Sequence, residues 1–138
     1  TGTEAWTDWN ILLDMQGGPN HVGNFCVAPV HADTTTGELV YTPSYYYIGH
    51  FSKFIRPGAK RVSCAPSRSA LEATSFLNGD GTLTTVVMNR TGREIRFNLI
   101  IGDQQVPGTI PAHALQTYVA REMMEKNNIL EPTNKRLL

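Results

Sequence analysis

Along the 138 residues the spacing of apolar positions changes rhythm twice. Thr3 to Leu13 (TEAWTDWNILL) is a nearly continuous apolar run, which predicts a strand buried on both faces. Gly17, Gly18, Pro19 and Asn20 are a breaker cluster and predict a loop. Asn24 to Ala32 reads as a second extended stretch interrupted by Pro29, and Asp33 to Gly37 as a polar turn before a short strand, Glu38 to Tyr41. Thr42 and Pro43 then offer a hydroxyl cap and a proline at the first helical position. Tyr47, Ile48, Phe51, Phe54 and Ile55 recur at helical spacing as one stripe expected to face a core, and Pro57 and Gly58 end the helix.

From Lys60 onward the rhythm becomes that of an antiparallel sandwich, with extended runs separated by turn residues. The runs are Arg61–Ala65, Leu71–Leu77, Leu83–Asn89, Glu94–Ile101, Gln104–Ile110 and Leu115–Ala120. In the fourth, Ile95, Phe97, Leu99 and Ile101 alternate with Arg96 and Asn98, so one face is buried. Asn78-Gly79-Asp80-Gly81 and Arg90-Thr91-Gly92 supply turn residues that tolerate positive φ. Arg121 to Leu138 reads as one or two helical turns and a loose tail.

A strand buried on both faces needs neighbours on both sides, and residues 1–58 contain no run that supplies parallel ones. The strand-then-helix order therefore predicts the last βα unit of a parallel barrel, with a small-sheet excursion inserted between strand and helix. The chain itself is too short for a whole (β/α)8 barrel.

Twelve basic and twelve acidic residues cancel without clustering by sign, which argues against a nucleic-acid partner or an anionic membrane surface. No apolar run approaches the length of a membrane span. Cys26 and Cys64 sit among apolar or small neighbours and are expected to be buried free thiols rather than a bridge. The four histidines, His21, His31, His50 and His113, show neither metal-ligand spacing nor a carboxylate cluster, so no metal or cofactor is expected. Asn89-Arg90-Thr91 matches a glycosylation acceptor.

The run Trp6-Thr7-Asp8-Trp9-Asn10, then Gly17-Gly18-Pro19-Asn20 and Asn24-Phe25, then Tyr47 to Ile55 (YIGHFSKFI) and Arg61-Val62, resembles in order and spacing the C-terminal region of glycoside hydrolase family 30, the glucosylceramidase family. Val86 to Arg90 and Gln116-Thr117-Tyr118 look like the side-domain strands of the same family. The resemblance implies the last strand and helix of a (β/α)8 barrel within residues 1–58, a β-sandwich side domain over 59–120 and a tail over 121–138. It also implies a retaining β-glycosidase that uses two glutamates on earlier barrel strands, upstream of this chain, so no catalytic residue is expected here and the chain alone should be inactive. Its partners would be a β-glycoside (glucoside, glucosylceramide or oligosaccharide) and the N-terminal remainder of the same enzyme, in a secreted or lysosomal setting.

Positions that match the family's substrate pocket are Trp9, Asn24 and Phe25. An indole offers a flat apolar face to the C–H face of a pyranose and an N–H to a hydroxyl. An asparagine offers both a donor and an acceptor to sugar hydroxyls. Asp8 is by itself an attractive acid or nucleophile, but the family assigns neither role to its position, so it is expected beside the site in a salt bridge. The alternative is a non-catalytic β-sandwich module that binds carbohydrate or protein, with Tyr118 as an exposed stacking ring.

Overall fold

The computed structural model describes residues 2–121 and the backbone of 133–134, and it divides into two compact units, Thr1–Ile48 and Gly49–Leu138. The tail expected over 121–138 otherwise lies outside the described residues.

The first unit is built on a three-stranded sheet of β1 (Leu12–Asp14), β2 (Val30–Ala32) and β3 (Leu39–Tyr41), in that order. The strand expected over 3–13 forms only at its end. No described strand runs beside residues 3–10, so their amides and carbonyls have no ladder to join. Trp6 and Trp9 are accordingly 76% and 82% exposed rather than buried. The expectation that residues 1–58 lack a parallel partner is also corrected, because β2 pairs parallel with β1, setting Leu13 opposite His31. The turn at Asp33–Gly37 returns the chain antiparallel as β3, with the Asp33 carboxylate accepting the amides of Thr35 and Thr36.

Helix α1 (Pro43–Ser52) begins where proline places it. The Thr42 carbonyl takes the first helical amide, from Tyr45. The Thr42 hydroxyl is not the cap the sequence suggests: it lies 3.0 Å from the carbonyl of Ala28, 3.2 Å from that of Pro29 and 2.8 Å from Ser44 Oγ. The β2–β3 pairing brings Thr42 beside Pro29, and there the hydroxyl hydrogen goes to those carbonyls instead of the oxygen accepting a helix amide. The expected core-facing stripe is not buried here, since Tyr47 and Phe51 are exposed and His50 is the helix's one buried residue.

The second unit is antiparallel throughout. β4 (Lys60–Val62), β5 (Leu71–Leu77), β6 (Leu83–Asn89), β7 (Ile95–Ile101), β8 (Gln104–Ile110), β9 (Ala114–Ala120) and β10 (Thr133–Asn134) form a five-stranded sheet, ordered β10-β9-β6-β5-β4, and a β7-β8 hairpin. Register places Leu71 opposite Asn89 and Asn89 opposite Ala114, so Leu71, Ala73, Val87, Ala114 and Tyr118 share one sheet face. That face meets Ile95, Phe97, Leu99 and Ile110 of the hairpin, and together they are the core. Phe97 stands edge-on to Tyr118 at 5.8 Å. A Cβ at Gly108 would come within 2.9 Å of the Phe97 ring and 3.1 Å of Tyr118 Oη, so only glycine admits this ring pair. Tyr118, foreseen as an exposed stacking ring, is 4% exposed and its hydroxyl donates to Gln116 Oε1 at 2.8 Å.

Two asparagines fasten the connections. Asn78 Nδ2 donates to the Phe54 carbonyl and to Thr82 Oγ1, while its Oδ1 accepts the Arg56 amide at 2.9 Å, tying the chain after α1 to the β5–β6 turn. Asn89, 1% exposed, donates to the carbonyls of Arg93 and Pro111 and accepts from the amide and hydroxyl of Thr91. The glycosylation reading of Asn89 is thereby overturned, because its amide nitrogen is buried and fully engaged. Of the two turns, Gly81 takes positive φ but Gly92 does not, since the Asn89 side chain shapes the second one instead. Cys26 and Cys64 are free, as expected, but half-buried rather than buried.

His50, buried, shares a 2.7 Å hydrogen bond with Thr117 Oγ1, on the sheet face opposite the hairpin core. Desolvation pushes its imidazole below the ordinary 6.5. The unfolded chain therefore takes up the proton first, and the stability contributed by neutral His50 is present above about pH 6.5 and lost as the pH falls. Thermal unfolding of the chain should show a lower midpoint at about pH 5 than at about pH 7, and His50→Gln should shrink that difference. Asn89→Asp faces an anion toward the carbonyls of Arg93 and Pro111, and the same assay should show a loss on the order of 3 kcal/mol.

Candidate functional site

The residues that the sequence nominates all fall in the first unit. Trp9 lies at a bend in the irregular segment before β1 and is exposed; Asp8 Oδ1 accepts the Trp9 amide at 2.9 Å. Among the described residues the one ion pair is Arg90–Glu72, so Asp8 holds backbone rather than the salt bridge expected of it. That pairing suits an unladdered segment, where a carboxylate one residue back is the nearest acceptor for a free amide.

Asn24 and Phe25 lie on the long connection between β1 and β2, and both are exposed, Phe25 at 63%. The Asn24 carbonyl accepts the Cys26 thiol at 3.6 Å, and its side-chain amide stays at the surface. Asparagine and aromatic side chains turned outward on a connecting loop are the combination that recognises a sugar, with polar groups for hydroxyls and a ring for the C–H face.

What fixes this connection is a set of residues that spacing did not single out. Asp14 turns the chain out of β1: its carboxylate accepts the amides of Gln16 at 2.9 Å and Gly18 at 2.8 Å, and its own amide donates to the Gly18 carbonyl. Gly17 has φ +85° and lies directly against the backbone of Cys26, where any side chain would collide. The Cys26 amide donates to the Gly17 carbonyl at 3.1 Å, closing the loop on itself. His31 completes the closure from β2, contacting the Ala28 amide and the Asp14 carbonyl. In the sequence the one trace of this was Gly17-Gly18 followed by Pro19, which announces a tight turn but not its partners.

Among the described residues no group of three or more histidines, cysteines or acids could hold a metal ion, and no helix is long and apolar enough to cross a membrane. The connection thus presents an exposed asparagine and an exposed aromatic ring on a loop whose base is pinned by hydrogen bonds.

Comparison with known proteins places both units. Residues 2–55 match the glycosyl hydrolase family 30 TIM-barrel domain and residues 58–118 the glycosyl hydrolase family 30 beta sandwich domain. Lysosomal acid glucosylceramidase of Mus musculus is 37% identical over 119 residues, covering 85% of this chain and 23% of the relative. An endo-1,6-beta-D-glucanase of Trichoderma harzianum is 29% identical over 125 residues, covering 86% of this chain and 25% of the relative. Among solved structures, SrfJ from Salmonella typhimurium superposes with a TM-score of 0.78 at 39% identity, over 83% of this chain and 26% of that one. The chain thus spans about a quarter of the length of these relatives. With a barrel-domain match followed in order by a sandwich-domain match of one family, the chain belongs to glycosyl hydrolase family 30, and its architecture is the end of a TIM barrel joined to a β-sandwich.

Proposed function

We propose that this chain is the C-terminal part of a retaining β-glycosidase acting on β-glucosides or related β-linked sugars. Residues 1–58 contribute the closing strand and helix of its barrel, residues 59–120 its sandwich domain and residues 121–138 a tail. The observation that carries the reading is the exposure of Trp9 and Phe25, at 82% and 63%, within the stretch that matches the barrel domain. Large apolar side chains turned to solvent mark a surface that is covered in use. Barrel enzymes bind substrate on the loops that follow their strands, which is where Asn24 and Phe25 stand relative to β1.

In this reading two glutamates on earlier barrel strands do the covalent chemistry. One attacks the anomeric carbon and the other protonates the leaving oxygen and then activates water, the two carboxyls standing about 5 Å apart as retention requires. Trp9 presents its indole to the sugar, Asn24 bonds hydroxyls and Phe25 walls the pocket. Asp8, by holding the Trp9 amide, orients the indole without touching substrate. Trp6, Ile11 and Leu12, also exposed, meet the preceding part of the barrel. The chain's similarity to a lysosomal acid glucosylceramidase and to an endo-1,6-beta-D-glucanase supports a glucosylceramide-like or β-1,6-linked substrate, and the first of these supports a lysosomal setting.

Pure chain comprising residues 1–138 should hydrolyse an aryl β-glucoside no faster than buffer, because neither nucleophile nor acid is in it; any turnover above the buffer rate refutes the division of labour. In the intact enzyme Trp9→Ala removes a stacking contact and a hydrogen bond and should lower kcat/KM about 30-fold or more without shifting the melting temperature. A kcat/KM equal to the parent's takes Trp9 out of the site.

A further inference from the structure

We infer that His31 is a positioning residue for sugar binding: it locks the connection that carries Asn24 and Phe25 by bridging the Ala28 amide and the Asp14 carbonyl, which also accepts the Gly17 amide. The inference rests on the pocket reading above and assigns the residue that holds that pocket's geometry.

Ala28 is wholly buried and outside any strand, so its amide needs an acceptor that no ladder supplies, and a side chain provides it. His31 Nε2 lies 3.0 Å from that amide nitrogen. The amide can only donate, so Nε2 presents its lone pair and the ring hydrogen sits on Nδ1. Nδ1–H then donates to the Asp14 carbonyl at 2.6 Å. One rigid ring on β2 thereby spans from the last residue of β1 to the far end of the connection.

The near end is held by Asp14 through Gly18 and Gln16, and the Cys26 amide reaches back to Gly17. Asn24 and Phe25 lie between these fastenings and are exposed, so their placement follows from the ends. An aliphatic side chain at 31 would fill the space but leave the Ala28 amide without an acceptor, and the connection would move to give that amide water. A shift of about 1 Å at a binding group weakens substrate recognition by an order of magnitude or more.

The test uses the intact enzyme and an aryl β-glucoside. His31→Leu should raise KM about ten-fold with kcat within about two-fold, since the reacting carboxylates lie elsewhere. His31→Gln, whose amide oxygen can accept from Ala28, should restore KM to within about three-fold of the parent. Should His31→Leu fail to fold, His31→Asn, which keeps a donor near the Nδ1 position but no acceptor for Ala28, carries the same expectation. A parent-like KM in His31→Leu, a fall confined to kcat, or a KM restored merely by assaying further below a lowered melting temperature each overturns the inference. Asn24→Ala and Trp9→Ala are measured alongside: if they raise KM while His31→Leu does not, the pocket stands and the positioning role falls. If both are silent, the pocket reading itself is lost.

Discussion

A buried amide and a buried carbonyl at Ala28, neither of them in a ladder, govern the first unit. Each needs a partner, and the two side chains that meet them, His31 and Thr42, come from a strand and from the residue before a helix. These two side chains join the short β2–β3 pairing and the backbone bonds of Cys26 to Gly17 and Thr42 to Pro29 in holding the long connection, β2 and the start of α1 in mutual register. The three strands they knit together are only three residues each, too short to hold such a connection by ladder bonds alone.

The second unit solves the same problem by another route. β6 is flanked by β5 and β9 over its whole length, so its backbone is satisfied and its side chains are free to pack. One face closes on the β7-β8 hairpin with aliphatic and aromatic residues. The strand ends, where pairing stops, are where Asn78 and Asn89 take over and bind the loops through side-chain amides. Both asparagines donate and accept at once, which neither an aspartate nor an aliphatic residue of that size can do.

This division suits the proposed role. The sandwich carries no exposed aromatic candidate once Tyr118 is found in its core, and two of its turns are fastened by Asn78 and Asn89. The groups proposed to meet the sugar lie in the first unit, whose surface holds Trp9, Asn24 and Phe25 on backbone that is fastened by side-chain and backbone hydrogen bonds. A rigid base with outward-facing amides and rings is what a hydroxyl-rich ligand with apolar C–H faces requires.

Much of this was legible in the order of residues. Local signals are enough where a strand's partners lie next to it in sequence: Leu71–Leu77, Leu83–Asn89 and Gln104–Ile110 have the same bounds in sequence and structure, and the alternation of Ile95 to Ile101 shows its buried face. Pro43 likewise marks the helix start. Tertiary structure alone decided the rest. Thr3–Leu13 has the composition of a buried strand, yet composition cannot supply hydrogen-bond partners, and only the last residues meet one in β2. Tyr118 and Asn89 read as surface groups because a stacking ring and a glycosylation tripeptide look alike whether exposed or buried. His31 gave no signal at all, because its role depends on an amide three residues back and a carbonyl seventeen residues back, which only the folded chain sets on either side of one imidazole ring.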